Sequence, residues 1–225
     1  MLEGGYPRRR SVLLTGGPGS GKTTLAMEFV QAGLDAGERC LFVSTEQSFA
    51  ELADSLGRFD YDLDHDRLAF ATVHARTEQS IDGEARLVLE HLGGDDLASG
   101  GQQLEDAFDV PFTAKRVAEY LSRYGPADRV VIDSVSGLWS MADDRSRFRR
   151  AVLDLIRFLS DEFGATSLLT AEAGDGAAGD ATAALRYNTH GVVELRREQV
   201  DGDPHRLLEV SKMRGTDSTA GRWSC

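Results

Sequence analysis

Lysine is nearly absent from this chain, although basic residues are not. Of 25 lysines and arginines only three are lysines, at positions 22, 115 and 212, which leaves 22 arginines. A chain that avoids lysine this strongly is expected to keep it where an arginine will not serve, because an ammonium and a guanidinium differ in shape and hydration. Lys22 and Lys212 are therefore candidate functional residues.

The chain is also short of cysteine, proline and long apolar runs. Two cysteines, Cys40 and Cys225, provide neither a disulfide framework nor a metal-ligand pair, which is typical of a reducing cytoplasm. No apolar run approaches the roughly 20 residues that span a bilayer, so we expect no membrane segment. Five prolines and 41% hydrophobic residues favour a folded chain. Its 225 residues fit a single domain, 1–225.

The charge balance is strongly acidic. There are 37 acidic residues, the formal net charge is −12 and the isoelectric point is about 4.8. Such a charge keeps a protein soluble and repels polyanions, so binding to nucleic acid is not expected. Excess acid together with arginine in place of lysine resembles the proteome of a salt-loving archaeon, where salt screens the self-repulsion. An ordinary acidic mesophile protein is the alternative.

Strands and helices alternate along the chain. Apolar runs predict strands at 11–16, 40–44, 67–73, 129–134 and 166–170. Helical spacing predicts a helix from Lys22 to near Gly37, a second helix capped by Ser48, and a long one over 148–163. Two further runs, 191–200 and 205–212, flank "DGDP" and predict a β-hairpin. This order predicts an α/β fold, a mostly parallel sheet with helices on both faces.

Four segments carry weaker signals. We interpret "GEARLVLEHL" (83–92) as a helix and 93–103 as a flexible acidic loop. Thr113 is a candidate cap for another helix. Residues 171–183 have no core periodicity and are predicted to form a mobile loop.

The stretch "GGPGSGKTT" matches G-x-x-x-x-G-K-[ST], the pattern of a phosphate-binding loop. Glycines let the backbone wrap a phosphate, and the following helix offers its positive N-terminal end. A strand before the motif and a helix after it supply the required context and disfavour a chance match. Lys22 would bridge the β- and γ-phosphates, and Thr23 would coordinate Mg²⁺. The predicted nucleotide-binding residues are Gly16, Gly17, Pro18, Gly19, Ser20, Gly21, Lys22, Thr23 and Thr24.

Two carboxylates follow predicted strands. Asp133 ends the apolar run "VVID", at the carboxyl edge where ligands bind in open α/β sheets, and it is well placed to serve Mg²⁺. Glu46 follows the strand 40–44 and could orient or deprotonate the water that attacks a γ-phosphate. The alternatives are an aspartate in a strand-end turn and a solvated loop glutamate.

Several motifs together resemble one family. "GGPGSGKTT", "LFVSTEQS", "RVVIDSVSGL", "TSLLTAE" and "LEVSKMRGTDS" occur in the order and spacing of KaiC-like ATPases of the RecA superfamily. The resemblance implies a RecA-like P-loop NTPase core that uses ATP and Mg²⁺. It implies that Glu46 activates water and that Asp133 serves Mg²⁺. Thr170 and Glu172 fall where a polar sensor usually sits at the end of a strand.

The same resemblance implies a role for the scarce lysine at 212. In KaiC-like rings the Lys and Arg of "KMRG" reach across the subunit interface to the neighbour's γ-phosphate, and here they are Lys212 and Arg214. A cation supplied in trans neutralises transition-state charge, as arginine fingers do. Without the family, a pair of exposed basic residues on an acidic surface would be the simpler interpretation.

Three departures from the family pattern qualify the resemblance. The family often has two adjacent glutamates after the second strand, whereas this chain has Glu46 and Gln47, which puts autokinase activity in doubt. Family members usually begin further upstream, so the N-terminus looks abbreviated. One ATPase domain stands where the circadian-clock protein has two, so a clock role does not transfer.

The leading hypothesis is a Mg²⁺-dependent regulatory or signalling ATPase that assembles with itself head to tail, as a ring (a hexamer is one candidate) or a filament, and acts on a protein partner. A RecA/RadA-like accessory ATPase of DNA recombination or repair is the alternative. Residues 171–185 lack any Lys or Arg, which suits DNA poorly. The cluster Arg145, Arg147, Arg149 and Arg150 keeps that alternative open, or is the solvated side of the long helix. A nucleotide-binding scaffold with negligible turnover is a third possibility.

Overall fold

The computed structural model describes residues 5–76, 86–92, 104–106, 120–124, 126–140, 145–174, 177–200, 203–215 and 222–224. The described strands form a single sheet in the order β10-β9-β8-β1-β7-β6-β2-β3-β4-β5. Neighbours from β8 to β3 pair in parallel, and the strands outside them pair antiparallel. The strands are β1 Ser11–Gly16, β2 Cys40–Ser44, β3 Leu68–Arg76, β4 Arg86–Leu92, β5 Leu104–Asp106, β6 Arg129–Asp133, β7 Thr166–Glu172, β8 Gly191–Val200, β9 Asp203–Met213 and β10 Arg222–Ser224.

Helices flank this sheet on both faces. In the described part of the chain they are α1 Lys22–Asp35, α2 Phe49–Leu56, α3 Val135–Ser140, α4 Arg145–Arg157 with a π-helical turn Phe158–Glu162, and α5 Ala177–Asn188, together with a 3₁₀ turn Ser122–Tyr124. The α2 helix begins with a capping box, in which Ser48 accepts from the Glu51 amide and Glu51 returns a bond to the Ser48 amide.

Alternate residues of the parallel strands enter two separate cores. Val12 and Leu14 pack on the face covered by α1 and α2, while Leu13 between them packs on the face covered by α4. Both faces are covered, and that is why the central strands are continuously apolar rather than alternating. The predicted α/β architecture, the mostly parallel sheet and the C-terminal hairpin of β8 and β9 are confirmed.

Two local predictions are wrong. The segment 83–92 was expected to be helical, but Arg86–Leu92 is a strand, because it pairs antiparallel with β3. The mobile loop expected at 171–183 is instead the end of β7 followed by helix α5, and contacts from outside the segment hold that helix. The acidic loop predicted at 93–103 and the helix cap predicted at Thr113 lie outside the described residues.

None of the helices in the described part of the chain combines the length and apolar character that a membrane span requires.

Candidate functional site

Sheet topology brings the predicted site residues to one edge. Strands β1, β7, β6 and β2 are consecutive neighbours and run parallel, so their carboxyl ends lie side by side. The phosphate loop follows β1, Asp133 ends β6, and Glu46 comes two residues after β2. Glu172, which ends β7, pairs in register with Gly16. Residues distant in sequence therefore meet where open α/β sheets bind their ligands.

The phosphate loop opens with a tight turn. The Ser20 amide donates to the Gly17 carbonyl at 3.2 Å, and Gly19 has a φ of +66°. Proline at the second position and a positive φ at the third are features of a type II turn, so "GPGS" encodes this bend locally. The ammonium of Lys22 donates to the carbonyls of Gly16 at 3.0 Å and Gly17 at 3.1 Å, inside the loop.

Close packing explains the first glycine of the motif. A Cβ atom at Gly16 would lie 2.6 Å from the Ser20 hydroxyl and 2.7 Å from the Leu195 carbonyl oxygen. Both distances are too short for any side chain. Glycine therefore allows the loop to press against β8 and turn back towards α1.

Asp133 lies between two threonine hydroxyls. The Thr23 hydroxyl donates to one carboxylate oxygen at 2.7 Å, and the Thr170 hydroxyl donates to the other. The pKa of Asp133 is raised above its ordinary value, mainly by burial and also by the charge of Glu46. The two hydroxyl bonds and the charge of Lys22 oppose this shift. A carboxylate whose negative charge is costly in the free protein is well suited to a cation that would neutralise it.

Glu46 is fixed by residues that sequence reasoning did not single out. The Ser134 hydroxyl donates to the Glu46 carboxylate, and it also accepts from the Gly137 amide at 3.1 Å at the start of α3. The Thr45 hydroxyl donates to the Ser134 carbonyl at 2.8 Å and accepts from the Ser134 amide at 2.9 Å. This pairing ties the segment after β2 to the segment after β6. A serine just before a helix was the available signal, because it is a preferred N-cap.

Thr170 and Glu172, which lie where a strand-end sensor is expected, make different contacts. The Thr170 side chain bonds to Asp133, as described above, whereas Glu172 makes its hydrogen bonds through its backbone. The Glu172 amide donates to the Ser136 hydroxyl at 2.9 Å, and its carbonyl accepts from the Thr182 hydroxyl at 2.9 Å.

The loop fits a phosphate-bearing ligand. The hydroxyls of Thr15 and Ser20 are buried and have no hydrogen-bond partner within the described structure, which is costly unless a ligand or water satisfies them. No group of three or more His, Cys, Asp and Glu residues in the described ranges could hold a metal on its own. Mg²⁺ typically takes one or two protein oxygens and completes its shell with phosphates and water. Thr23 and Asp133 would provide such oxygens.

A profile of the family described as "ATPase: KaiC" matches residues 1–224. The chain belongs to the KaiC family of ATPases. Among curated relatives, a UPF0273 protein of Aeropyrum pernix is 32% identical over 224 residues, covering 99% of this chain and 84% of its own length. UPF0273 proteins of Pyrococcus horikoshii and Thermotoga maritima are each 30% identical over 224 residues and 99% of this chain, covering 84% and 86% of their own lengths.

The fold has a solved counterpart. The crystal structure of a KaiC-like protein from Pyrococcus horikoshii aligns with a TM-score of 0.73, at 24% identity, over 99% of this chain and 88% of that chain. The RecA-type core expected from the sequence is thus the observed fold of this KaiC-family chain.

Lys212 of this KaiC-family chain is anchored within its own fold. Its ammonium donates to three carbonyls at the end of α5, those of Arg186 at 2.8 Å, Tyr187 at 3.1 Å and Thr189 at 2.5 Å. Burial lowers the pKa of Lys212, and the neighbouring Arg214 lowers it further. The carbonyls of Arg186 and Tyr187 belong to the last turn of α5, where every helix leaves acceptors without a helical partner, and Thr189 follows that turn, so Lys212 caps α5.

Arg214 follows directly after β9 and is exposed. Its amide donates to the His190 carbonyl at 2.9 Å, and the His190 amide donates to the Ser11 carbonyl at 2.8 Å. Arg214 therefore lies level with the start of β1, whereas the phosphate loop begins at its end. Five residues of strand separate the two levels, about 16 Å. Arg214 therefore lies at the amino ends of the parallel strands, and the phosphate loop of the same chain lies at their carboxyl ends.

Proposed function

We propose that this KaiC-family chain binds ATP with Mg²⁺ and hydrolyses it. The observation that carries the proposal is the bridge from Thr23 through Asp133 to Thr170, with the Lys22 ammonium in the adjoining loop. A lysine, a threonine and an aspartate in these places are the parts that P-loop NTPases use for phosphates and Mg²⁺.

Each residue has a distinct task in this proposal. Lys22 would exchange the loop carbonyls for the β- and γ-phosphate oxygens, and Thr23 and Asp133 would hold Mg²⁺, which neutralises phosphate charge when bound. Glu46 would orient the attacking water and accept its proton. The Ser134 hydroxyl, which donates to the Glu46 carboxylate, supports that role because it fixes a carboxylate that is near enough to Asp133 to raise the pKa of that residue.

The proposal extends to a head-to-tail assembly, a ring or a filament, that works in regulation or signalling with a protein partner. Its support is the location of Arg214, exposed and at the edge away from the chain's own loop. A cation there can serve a γ-phosphate only in another copy, and heterologous contacts produce rings or open filaments. Arg214 would supply this cation. Lys212, predicted to act beside it, would instead hold the helix end next to the exposed arginine, because its ammonium is bound by carbonyls of its own chain.

The test is a nucleotide-binding and phosphate-release assay with wild type, Lys22→Ala and Glu46→Gln, with and without Mg²⁺. We expect Lys22→Ala to lose ATP binding, because the motif loses its cation. Glu46→Gln should bind ATP but turn over about 10²- to 10⁴-fold more slowly, the range of a general base. Near wild-type affinity in Lys22→Ala would overturn the site, and wild-type turnover in Glu46→Gln would reduce Glu46 to a loop residue.

Two other outcomes would favour the remaining hypotheses. Tight ATP binding with negligible turnover by wild type would favour a nucleotide-dependent scaffold. A change in fluorescence anisotropy of labelled single-stranded DNA that weakens as salt rises would favour a recombination accessory protein.

A further inference from the structure

Besides Lys22 of the motif, a basic residue from outside the motif contacts the phosphate loop. Arg197 of β8 donates from its guanidinium to the carbonyl of Gly19. Three guanidinium atoms lie 3.5 to 3.8 Å from the point that a Cβ of Gly19 would occupy. The guanidinium therefore rests directly over the turn of the loop, 178 residues away in sequence.

Strand geometry explains this reach. Gly16 pairs with Leu195 in the parallel ladder of β1 and β8, so Arg197 lies two residues beyond the level at which the loop begins. Side chains two apart on a strand share a face, and Leu195 packs on the face that α1 covers. The same face carries the loop into α1, so a long side chain at 197 projects over it.

The two neighbouring arginines of β8 have different partners. Arg196 pairs with Glu194 at 2.8 Å and with Glu209 at 3.8 Å. Arg197 has no carboxylate within 4.0 Å among the residues that the structure describes. In a chain of net charge −12, an exposed arginine without an acidic partner adds positive charge beside the loop.

The contact fixes one peptide plane of the loop from both sides. The Gly19 carbonyl is held by Arg197, and the Ser20 amide of the same peptide bond donates to the Gly17 carbonyl. Rotation of a planar peptide held at both polar groups would break both hydrogen bonds. Lys22 acts on the inner side of the loop, through Gly16 and Gly17, and Arg197 acts on the outer side.

We propose that Arg197 is a positioning residue for nucleotide, a brace from β8 that keeps the phosphate loop in its binding shape and adds positive charge beside the phosphates. The inference rests on the proposed binding of ATP. It concerns affinity, because Arg197 acts on the loop and not on the water or on Glu46. Removing it should therefore raise Kd and KM and leave kcat nearly unchanged.

The experiment compares wild type with Arg197→Ala, Arg197→Gln and Arg197→Lys, using ATP titrations and steady-state kinetics. Arg197→Ala should weaken ATP binding about tenfold, the scale of one hydrogen bond to a charged group, with kcat within about twofold. Arg197→Lys keeps the charge and a donor and should recover most of the affinity, while Arg197→Gln keeps only a donor and should recover less. Arg149→Ala, a loss of an exposed arginine on α4, is the charge-matched control and should match wild type.

The outcomes separate this inference from the function on which it rests. Wild type that fails to bind ATP would overturn the proposed function itself. If wild type binds ATP and Arg197→Ala binds ATP equally well or more tightly, only the proposed role of Arg197 is overturned. A fall in kcat at unchanged KM would also overturn it, because a loop brace acts on binding. Thermal unfolding without nucleotide checks that each variant is folded, and Arg197→Lys carries the test if Arg197→Ala is not.

Discussion

Lysine and arginine carry the same charge but not the same shape, and Lys212 depends on that difference. Three backbone carbonyls converge on its ammonium from the last turn of α5 and the residue beyond it. A compact ammonium with three donors satisfies such a cluster, whereas a planar guanidinium presents its donors in a fixed fork. Lysine therefore fits position 212 better than arginine would, in a chain with 22 arginines and only three lysines.

We expect Lys212→Ala to lower the Tm by about 2–8 °C, because several helix-end carbonyls lose their donor. Lys212→Arg should recover only part of that loss, since the fork cannot face all three acceptors. Arg214→Ala is the matched control: its side chain is exposed, and its removal should leave the Tm unchanged. Thermal unfolding of the three variants measures this, and equal Tm values for Lys212→Ala and wild type would contradict the capping role.

Some residues of the site can be predicted from the local sequence and others cannot. Lys22 and Asp133 were predictable, because a local motif or a strand end defines them. The Asp133 partner Thr23 belongs to the same motif. Ser134 had a local signal as an N-cap, but its bond to Glu46 was not predictable, and neither was the bond of Thr45 to Ser134 or of Arg197 to Gly19, since each joins segments 88 or more residues apart. Only the strand order brings those segments together.

At the scale of elements, α5 shows how tertiary contacts decide a helix. Its sequence is rich in alanine and offers few large apolar residues for a periodic pattern. Three attachments hold it: Thr182 donates to the Glu172 carbonyl, Arg186 pairs with the buried Glu194, and Lys212 caps its end. Alanine favours a helix intrinsically, and these contacts supply the stability that an apolar stripe usually provides.

The strand β4 was mistaken for a helix for the opposite reason. "RLVLEHL" has apolar residues that satisfy both a helical and a strand period, and a run this short cannot distinguish them. The free hydrogen-bonding edge of β3 decides the outcome, because it pairs with β4 along its length. That edge is a property of the sheet and is invisible in the local sequence.

The packing of α3 against the end of β2 gives a prediction at this scale. A Cβ at Gly137 would lie 2.2 Å from the Thr45 hydroxyl oxygen and 2.9 Å from its Cβ. Gly137→Ala should therefore displace Thr45 and, with it, Glu46. We expect kcat to fall about 10²-fold, the cost of misplacing a catalytic group by about 1 Å, with ATP affinity retained. Phosphate release and ATP titration measure the two quantities.

The control for this prediction adds the same methyl group away from the site. Gly57 follows α2 with a helical φ of −61°, so Gly57→Ala should keep wild-type turnover. Gly137→Ala with wild-type kcat would show that the contact between α3 and Thr45 does not position Glu46.

At the scale of the whole molecule, the sheet separates two sets of charged residues. The phosphate loop, Asp133 and Glu46 lie at the carboxyl edge of the parallel strands, and Lys212 and Arg214 lie at the amino edge. The sheet edge for the first set followed from the order of predicted strands. The opposite location of the second set did not, because it depends on the antiparallel register of β9 on β8.

This separation makes the trans hypothesis testable by mixing two inactive variants. Arg214→Ala keeps an intact phosphate loop but cannot donate a cation, and its homo-oligomer should lose about 10³- to 10⁵-fold in turnover if Arg214 resembles an arginine finger. Lys22→Ala cannot bind ATP but still presents Arg214 to its neighbour. With random head-to-tail assembly at equal amounts, about a quarter of interfaces would pair a working loop with a working cation.

Phosphate release by the mixture should therefore reappear at about a quarter of the wild-type rate, because about a quarter of its interfaces are competent. Light scattering first confirms that both variants assemble. Recovery requires the cation and the loop to come from different copies, because neither variant contains both. A finger acting within one chain predicts no recovery, since each variant lacks a part that its own chain must supply. Activity of the mixture no higher than the mean of its components would exclude the trans role, and wild-type turnover by Arg214→Ala alone would exclude any catalytic role for that arginine.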